Sequence, residues 1–484
     1  MEQKKTLFNY LYEDIVKQIK SGKLAYGERL RSYRALCDVY NVGIRTVRDV
    51  VKKLIKDGYI KSVARSHIEV AYKEDSDSGN IEIIRGVLSK RDAITGLMKT
   101  MSYLLPYAYT EASRLVDKQL IDASRKDIRG LDHMNTKQQW RVSSTALQRI
   151  ISVFHNSLFR DLYIDVDLFS QVTVIDGFEN PFSRMTVNAE QGLNELFDQF
   201  LYQDMAGIRH VISKMYLDAS QAVSAYFDEV SKRYTGIMAI QEDYHWNAEK
   251  GRINRYMEIA RDLVEKIGHG VYPDGTYLPS NLVLQEEYSV AALTLINALD
   301  ALTVAGLVEK QSQRGKYLVT AAKAHTKELL IRNGAPKNDS ATLLGAIHAA
   351  ALLCRGITYA GFDFLTESDA DELEQEINDT ETIRPANCIL RKLVMAQPLK
   401  PLQDIYSQLE HLMNWGYYFD FARKYEANLE TVTAKTKIAV GYIRSGDKEA
   451  LADMLRDIYG SNFRNMQAAL IRLGMPEAAQ MKLP

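Results

Sequence analysis

The run Gly22-Lys23-Leu24-Ala25-Tyr26-Gly27-Glu28-Arg29-Leu30-Arg31-Ser32 returns 248 residues later as Gly270-Val271-Tyr272-Pro273-Asp274-Gly275-Thr276-Tyr277-Leu278-Pro279-Ser280. Outward from this stretch the register holds without a gap. Asp14/Asp262, Val16/Val264, Ile19/Ile267, Leu36/Leu284, Tyr40/Tyr288, Val42/Val290, Thr46/Thr294, Leu54/Leu302 and Gly58/Gly306 are identical pairs at the same offset. So many ungapped matches are a poor fit to chance, and a repeat reorganises every later inference. Each copy is followed by about 160 residues of mostly helical pattern, so the chain reads as two tandem units, each a small domain plus a larger helical one.

The chain has 484 residues with 61 basic and 62 acidic side chains, is 46% hydrophobic, and is nearly neutral. At ~150 residues each it has room for about three to four domains with real cores. Ten prolines and 27 glycines exclude a collagenous or linker-dominated chain, and 25% charged residues exclude disorder as the dominant state. Cys37, Cys354 and Cys388 are odd in number and widely spaced, which fits neither a disulfide framework nor a Cys-rich zinc site and predicts a reducing, cytoplasmic home. The N-terminus lacks an apolar signal core, and no stretch reads as ~20 uncharged apolar residues, so neither secretion nor a membrane span is expected.

In the first small domain Leu7, Leu11, Ile15 and Ile19 form one apolar helical stripe that Gly22 can end in a left-handed cap. Ser32 suits the N-cap of a short second helix carrying Leu36 and Val39. Asn41-Val42-Gly43 is a turn before a third helix with Val47, Val50, Val51, Leu54 and Ile55. After Gly58, the segments Tyr59-Ile60-Lys61 and His67-Ile68-Glu69-Val70 read as a two-stranded hairpin, a wing behind a helix-turn-helix.

Ile15, Ile19, Gly22, Gly27, Leu30, Ser32, Arg34, Val42, Thr46, Val47, Arg48, Leu54 and Gly58 together resemble the winged helix-turn-helix of the GntR family of bacterial transcription regulators. The chain departs from that family's pattern at Arg31, where a proline is usual, at Gly43 and Ile44, which replace a Ser-Arg pair, and in a wing without its usual glycine. The resemblance implies a DNA-binding head. The order of winged helix and about 160 helical residues further resembles the FadR subfamily, whose C-terminal domain is an antiparallel helix bundle that binds small ligands and dimerises. Phe154-His155-Asn156-Ser157-Leu158 is similar to a segment of that bundle, as are Gln203-Asp204 with Tyr216, and Gly446-Asp447 with Tyr459, to its closing helix.

Charge separates the two copies. Residues 1–73 hold 16 basic and 8 acidic side chains, net +8, whereas residues 252–320 hold 7 and 8, net −1. Only the first has the electrostatic footprint that phosphate contact needs. On its third helix Arg45 and Arg48 are neighbours at i and i+3 with Lys52 a turn on, a basic row suited to a major groove; such a row can also be a merely solvated face, and the helix-turn-helix context favours DNA. Arg45 and Arg48 are the candidates for base contacts. Arg31 and Arg34 at the start of the second helix, with Tyr33 and Thr46, are the candidates for phosphate contacts, and Lys52 and Arg65 complete the candidate DNA-binding residues. In the second copy Leu282, Leu293 and Ile296 replace Arg34, Arg45 and Arg48, so Ala291–Leu299 is expected to be a protein-contact surface. Its wing keeps Gln313-Arg314-Gly315-Lys316, which leaves weak phosphate contact by Arg314 and Lys316 open.

The fold class expected is mainly α: two winged helix-turn-helix domains, each followed by an antiparallel α-helical bundle. The boundaries are 1–73 (DNA-binding), 80–240 (effector or oligomerisation), 252–320 (degenerate winged helix) and 325–484 (second bundle). Segments such as Leu97 to Val116 and Leu147 to Leu162 have helical apolar period, and Asn333-Gly334 near Pro336 reads as an interhelical loop. The divalent-metal site of many FadR-like bundles looks lost: Ile151 stands for its Asp, the closing-helix His falls near Tyr216, and Leu390 stands for His155 in the second unit. His155 itself reads as a core histidine. Tyr103, Tyr107 and Tyr109, and Trp415-Gly416-Tyr417-Tyr418-Phe419, read as core packing ahead of a ligand pocket.

No cofactor and no catalytic arrangement is recognisable, which argues against an enzyme fused to the winged helix, such as the pyridoxal-phosphate type known among GntR relatives. The reading is a sequence-specific regulator that binds double-stranded DNA, pairs as a homodimer and senses a small-molecule effector. Its alternative is a DNA-tethered adaptor or architectural protein that uses the second winged helix as a protein-contact surface.

Overall fold

The computed structural model describes residues 7–20, 24, 26–40, 42–63, 67–72, 77–248, 255–268, 270–304, 306–311, 316–320, 334–378, 385–413, 426–472 and 474–484. These residues are mostly helical and fall into two compact units. The first comprises residues 1–153, 160–252 and 399–404, and the second 154–159, 253–398 and 405–484.

The first unit begins with α1 (Leu7–Lys20), α2 (Tyr33–Tyr40), α3 (Ile44–Lys56) and the antiparallel pair β1 (Ile60–Val63) and β2 (His67–Val70). Leu11, Ile15 and Ile19 of α1 pack with Val47, Val50, Val51 and Leu54 of α3 and with Ile60 and Val70 of the wing. The four-residue apolar period thus becomes one face of a three-helix core. The Ser32 hydroxyl accepts the Ala35 N–H at 3.2 Å, capping α2, and the Tyr40 phenol donates to Asp14 across the α1–α2 contact. Gly27 and Gly58 sit at φ +78°, a conformation that favours glycine.

Helices α4 (Asp77–Leu88), α5 (Arg91–Ser113), α6 (Lys118–Asp127), α7 (Thr136–Ile151), α8 (Ser157–Phe169), α9 (Ala189–Tyr202) and α10 (Met205–Arg233) follow. Helices α5 and α10 pack along their lengths as the spine of this region. Two local signals fix helix starts: Asn135 and Gln138 form a capping box at α7, and the Asp204 carboxylate accepts the Gly207 N–H at 3.0 Å at α10. The apolar period through Leu147 to Leu162 is not one helix. It breaks after Ile151 into a short 3₁₀ turn, Ser152–Phe154, then His155 at φ +51°, before α8 starts. The break is imposed by Asn156, whose side-chain oxygen accepts the Leu158 and Phe159 N–H groups at 3.0 and 3.1 Å and so caps a new helix.

The second unit repeats the opening as α11 (Arg255–Gly268), α12 (Asn281–Tyr288) and α13 (Ala292–Val304), each with limits 248 residues after its counterpart, then β3 (Val308–Gln311) and β4 (Lys316–Val319). Tyr288 donates to Asp262 as Tyr40 does to Asp14. Gly270, at φ +71°, ends α11 with its own N–H and that of Val271 returning to the Ile267 and Lys266 carbonyls; Gly22, its counterpart, lies outside the described residues. The ungapped register ends in the wing. Ile60 faces Val70 but Val308 faces Val319, so the second hairpin carries one extra residue and the offset becomes 249 beyond it.

Helices α14 (Gly334–Gly361), α15 (Glu367–Asn378), α16 (Pro385–Ala396), α17 (Lys400–Met413), α18 (Glu426–Ser445) and α19 (Lys448–Arg472) complete the chain. Gly334 and Pro336 lie in the first turn of α14 rather than in a loop, since proline is tolerated where the backbone N–H has no helical acceptor. The Trp415–Phe419 run lies outside the described residues. One segment, Ser340–Phe364, is long and apolar enough to cross a membrane, contrary to the expectation from sequence; 78% of its apolar window is buried as a core helix packed on α16 and α19. Gly361 allows the α16 approach, because a Cβ there would lie 2.2 Å from the Leu393 carbonyl oxygen. His348, fully buried in α14, sits between the Asn156 amide at 3.1 Å and the Lys482 carbonyl at 3.0 Å. The Asn156 amide also donates to the Gly345 carbonyl, so the His348 Nδ1 must accept and its Nε2–H donate, and burial pushes the ring down to about 3.

Candidate nucleic-acid interface

Helix α3 divides cleanly. Val47, Val50, Val51 and Leu54 are buried, while Arg45, Arg48 and Lys52 are exposed on the opposite face. Arg34 is exposed in the first turn of α2, Tyr33 is 38% exposed beside it, and Arg31 and Thr46 are half-buried. Arg65 lies outside the described residues. Two further cations of this domain are engaged: Lys53 pairs with Asp57 at 2.9 Å, and Lys61 pairs with Glu69 across the wing at 2.9 Å. The Glu69 carboxylate raises the Lys61 ammonium above its ordinary range and is itself lowered by it. Among the described residues Arg29, Arg31, Arg34, Arg45, Arg48, Lys52 and Lys56 have no carboxylate partner, so most of the unpaired positive charge of the domain lies on α3 and around the start of α2. Guanidinium forks presented from a helix are the geometry for paired acceptors on a guanine edge or a phosphate.

The second copy keeps the inward face and exchanges the outward one. Leu295, Ala298, Leu299 and Leu302 are buried at the positions of Val47, Val50, Val51 and Leu54. The apolar character of α13 therefore serves first to fill its own domain's core. Outside, Leu293 is 69% and Leu282 66% exposed where the first copy has Arg45 and Arg34, and Ile296 is half-buried. Of the second wing's cations, Lys316 is exposed with its ammonium 5.7 Å from the Tyr277 ring, and Arg314 lies outside the described residues.

In the helical part of the first unit, Ile151 is buried, Tyr216 is buried and His155 is exposed, so His155 is not the core histidine that its apolar neighbours suggested. Its positive φ turns the side chain out of the core at the break between α7 and α8. An isoleucine, an outward histidine and a phenol do not make a divalent-cation ligand set. Tyr109, Tyr163 and Tyr216 instead meet inside the helices, and burial pushes the Tyr163 phenol up to about 12. The cavity beside Tyr163 and Tyr216 holds only ≈ 50 Å³. Tyr109 packs against Phe200, and Tyr103 and Tyr107 are half-buried, with Arg209 over the Tyr107 ring, a packing role. Sequence reasoning missed that Arg141, Arg149 and Arg160 share a cleft with Arg31, because nothing in their spacing along the chain announces it.

The family profile "Bacterial regulatory proteins, gntR family" matches this chain twice, at residues 8–70 and 255–318. The HTH-type transcriptional regulator YdfD of Bacillus subtilis is 23% identical over 206 residues, which span 41% of this chain and 38% of that relative. Among solved structures, similarity extends to Lar, described as controlling the Listeria monocytogenes agr system, at 16% identity over 46% of this chain and 99% of that one, TM-score 0.26. It also extends to E. coli McbR/YncC, at 16% identity over 45% of this chain and 99% of that one, TM-score 0.23. The family profile thus falls on both small domains, and each of them is similar to the winged helix-turn-helix of gntR-family regulators.

Proposed function

We propose that the first winged helix reads a DNA operator, with Arg45 and Arg48 on base edges in a major groove and Arg31, Tyr33, Arg34, Thr46, Lys52 and Arg65 on the phosphates. The observation that carries this is the unpaired, exposed basic row on α3, directly opposite a fully buried face, in the copy that holds the net +8. The working organisation is a DNA-binding head at 1–73, a helical effector or oligomerisation domain at 80–240, a second winged helix at 252–320 and a second antiparallel bundle at 325–484. Each chain supplies one basic head, and a palindrome needs two, so the active form is a homodimer. The helical domains pair the subunits and sense a small ligand. No catalytic step is assigned.

Exposed Leu282, Val283 and Leu293 on the second winged helix favour one further reading, in which that domain docks a protein and the first tethers the complex to DNA. Selection of a random duplex library by the intact protein and by the Arg45→Ala/Arg48→Ala variant, at near-physiological salt, separates the two. An enriched palindrome that the variant loses supports the operator reader. Binding without enrichment, with a steep salt dependence, supports the tether.

A further inference from the structure

We infer that a small di- or trivalent anion bearing phosphate or carboxylate groups binds in an arginine-lined cleft of the first unit, between the start of α2 and helices α7 and α8. This rests on the regulator reading above and names the ligand class that its sensing domain takes. The cleft has a volume of ≈ 560 Å³, within the range of small-molecule sites, whereas the tyrosine-lined cavity of the same unit, at ≈ 50 Å³, has space for little more than water.

Arg31 enters the cleft from the winged helix, Arg141 and Arg149 from α7 and Arg160 from α8, with Tyr163 and Asp167 on the wall. The α7 residues at 141, 144, 145, 148 and 149 that line it follow a helical period continued by Ser152 at the helix end, so one face of that helix, Arg-Ser-Thr-Gln-Arg in order, is polar and turned to the cleft. Arg149 pairs with Asp127, and Asp167 accepts the Trp140 indole N–H at 3.0 Å. Arg31, Arg141 and Arg160 have no carboxylate partner among the described residues. The Arg160 Nε is shielded from solvent and meets no hydrogen-bond acceptor.

Two independent features therefore point to the same kind of occupant. Converging guanidinium groups raise the local potential, which an anion relieves, and a shielded N–H donor calls for an acceptor. Guanidinium forks match the paired oxygens of phosphate and carboxylate, and a neutral apolar ligand would satisfy neither feature. The position also gives the anion a consequence. Arg31 lies two and three residues before Tyr33 and Arg34, the candidate DNA contacts, so a ligand shared by Arg31 and the α7–α8 face draws that corner of the winged helix toward the helical domain. Anion binding then lowers DNA affinity, and DNA lowers anion affinity by the same factor.

The test uses the full chain, with pyrophosphate and citrate as probes and acetate at matched ionic strength as the control, titrated by calorimetry. At least one polyanion binds and acetate does not; the better of the two assigns phosphate or carboxylate. Arg141→Ala and Arg160→Gln each weaken that binding tenfold or more. Arg141 is exposed, so this variant melts at the temperature of the parent protein and binds duplex DNA as the parent does, yet its DNA affinity no longer falls when the polyanion is added. Absence of polyanion binding by the folded protein overturns the inference, as does binding that both variants retain. Loss of DNA affinity in Arg141→Ala without any polyanion also overturns it, by making the cleft part of the DNA surface. If the parent protein binds polyanion but no DNA, the regulator reading fails while the anion site stands.

Discussion

The two winged helices keep the same helix limits at a constant offset, the same Tyr-to-Asp hydrogen bond and the same four inward positions on the third helix, yet turn different chemistry outward. Arg34, Arg45 and Arg48 face Leu282, Leu293 and Ile296 across the repeat. Scaffold and reading surface are thus separable. The buried face is held by packing, where a changed volume is felt at once, while the outward face is largely exposed and freer to change. A family profile that matches both copies follows mostly what they share and does not distinguish their outward residues.

The sharpest way to break this comparison is to remove the outward pair from each copy. Arg45→Ala/Arg48→Ala is expected to weaken operator binding by about 3 kcal/mol, roughly a hundredfold, because each bidentate base contact contributes about 1–3 kcal/mol. Leu293→Ala/Ile296→Ala should leave it within about threefold. Fluorescence anisotropy on a labelled duplex reads both, and equal losses would put the second copy on DNA.

A smaller difference lies behind the winged helices. His348 is buried and neutral in α14, whereas α5, a spine helix of the first unit, carries no histidine. The folded pKa near 3 lies below the unfolded value near 6.5, so the unfolded chain takes up the proton first. Stability from this group is complete above about pH 6.5 and declines as pH falls toward 3, by about 1.4 kcal/mol per pH unit, or about 2 kcal/mol by pH 5. Urea unfolding at pH 7 and pH 5 should show the loss in the second unit, and His348→Gln should flatten it. An unchanged slope in that variant would place the acid sensitivity elsewhere.

The smallest effect sharpens the shared part. Tyr40→Phe removes the hydrogen bond to Asp14 at a buried site and should cost about 2 kcal/mol, while Tyr288→Phe removes its twin at a half-buried site and should cost about 1 kcal/mol. Thermal melts of the two variants, with DNA affinity measured alongside, test whether the pair is scaffold in both copies.

The helix-turn-helix was legible because its signals are local: the stripe of Leu11, Ile15 and Ile19, the Ser32 cap, and the Val47, Val50, Val51 and Leu54 face all lie within a few turns of chain. The break between α7 and α8 was not, since Ile150, Ile151, Phe154, Leu158 and Leu162 keep an apolar period across it, and only the Asn156 side chain, bonded to backbone N–H groups, ends one helix and starts the next. His155 was misplaced for the same reason. The exposed row of Arg45, Arg48 and Lys52 followed from helical spacing, whereas the grouping of Arg31 with Arg141, Arg149 and Arg160 depends on tertiary packing that no local pattern encodes.

The extra residue between β3 and β4 sets the rules for exchanging parts between the copies. Because every helix and the first wing strand superpose in number at 248 while the second strand follows at 249, a chimera spliced between Gly58 and Gly306 carries each domain's three helices intact, but one spliced inside the hairpin tip inherits a mismatched turn. Grafting the first three helices onto the second wing at the glycine is therefore the seam along which a two-headed version of this chain can be built.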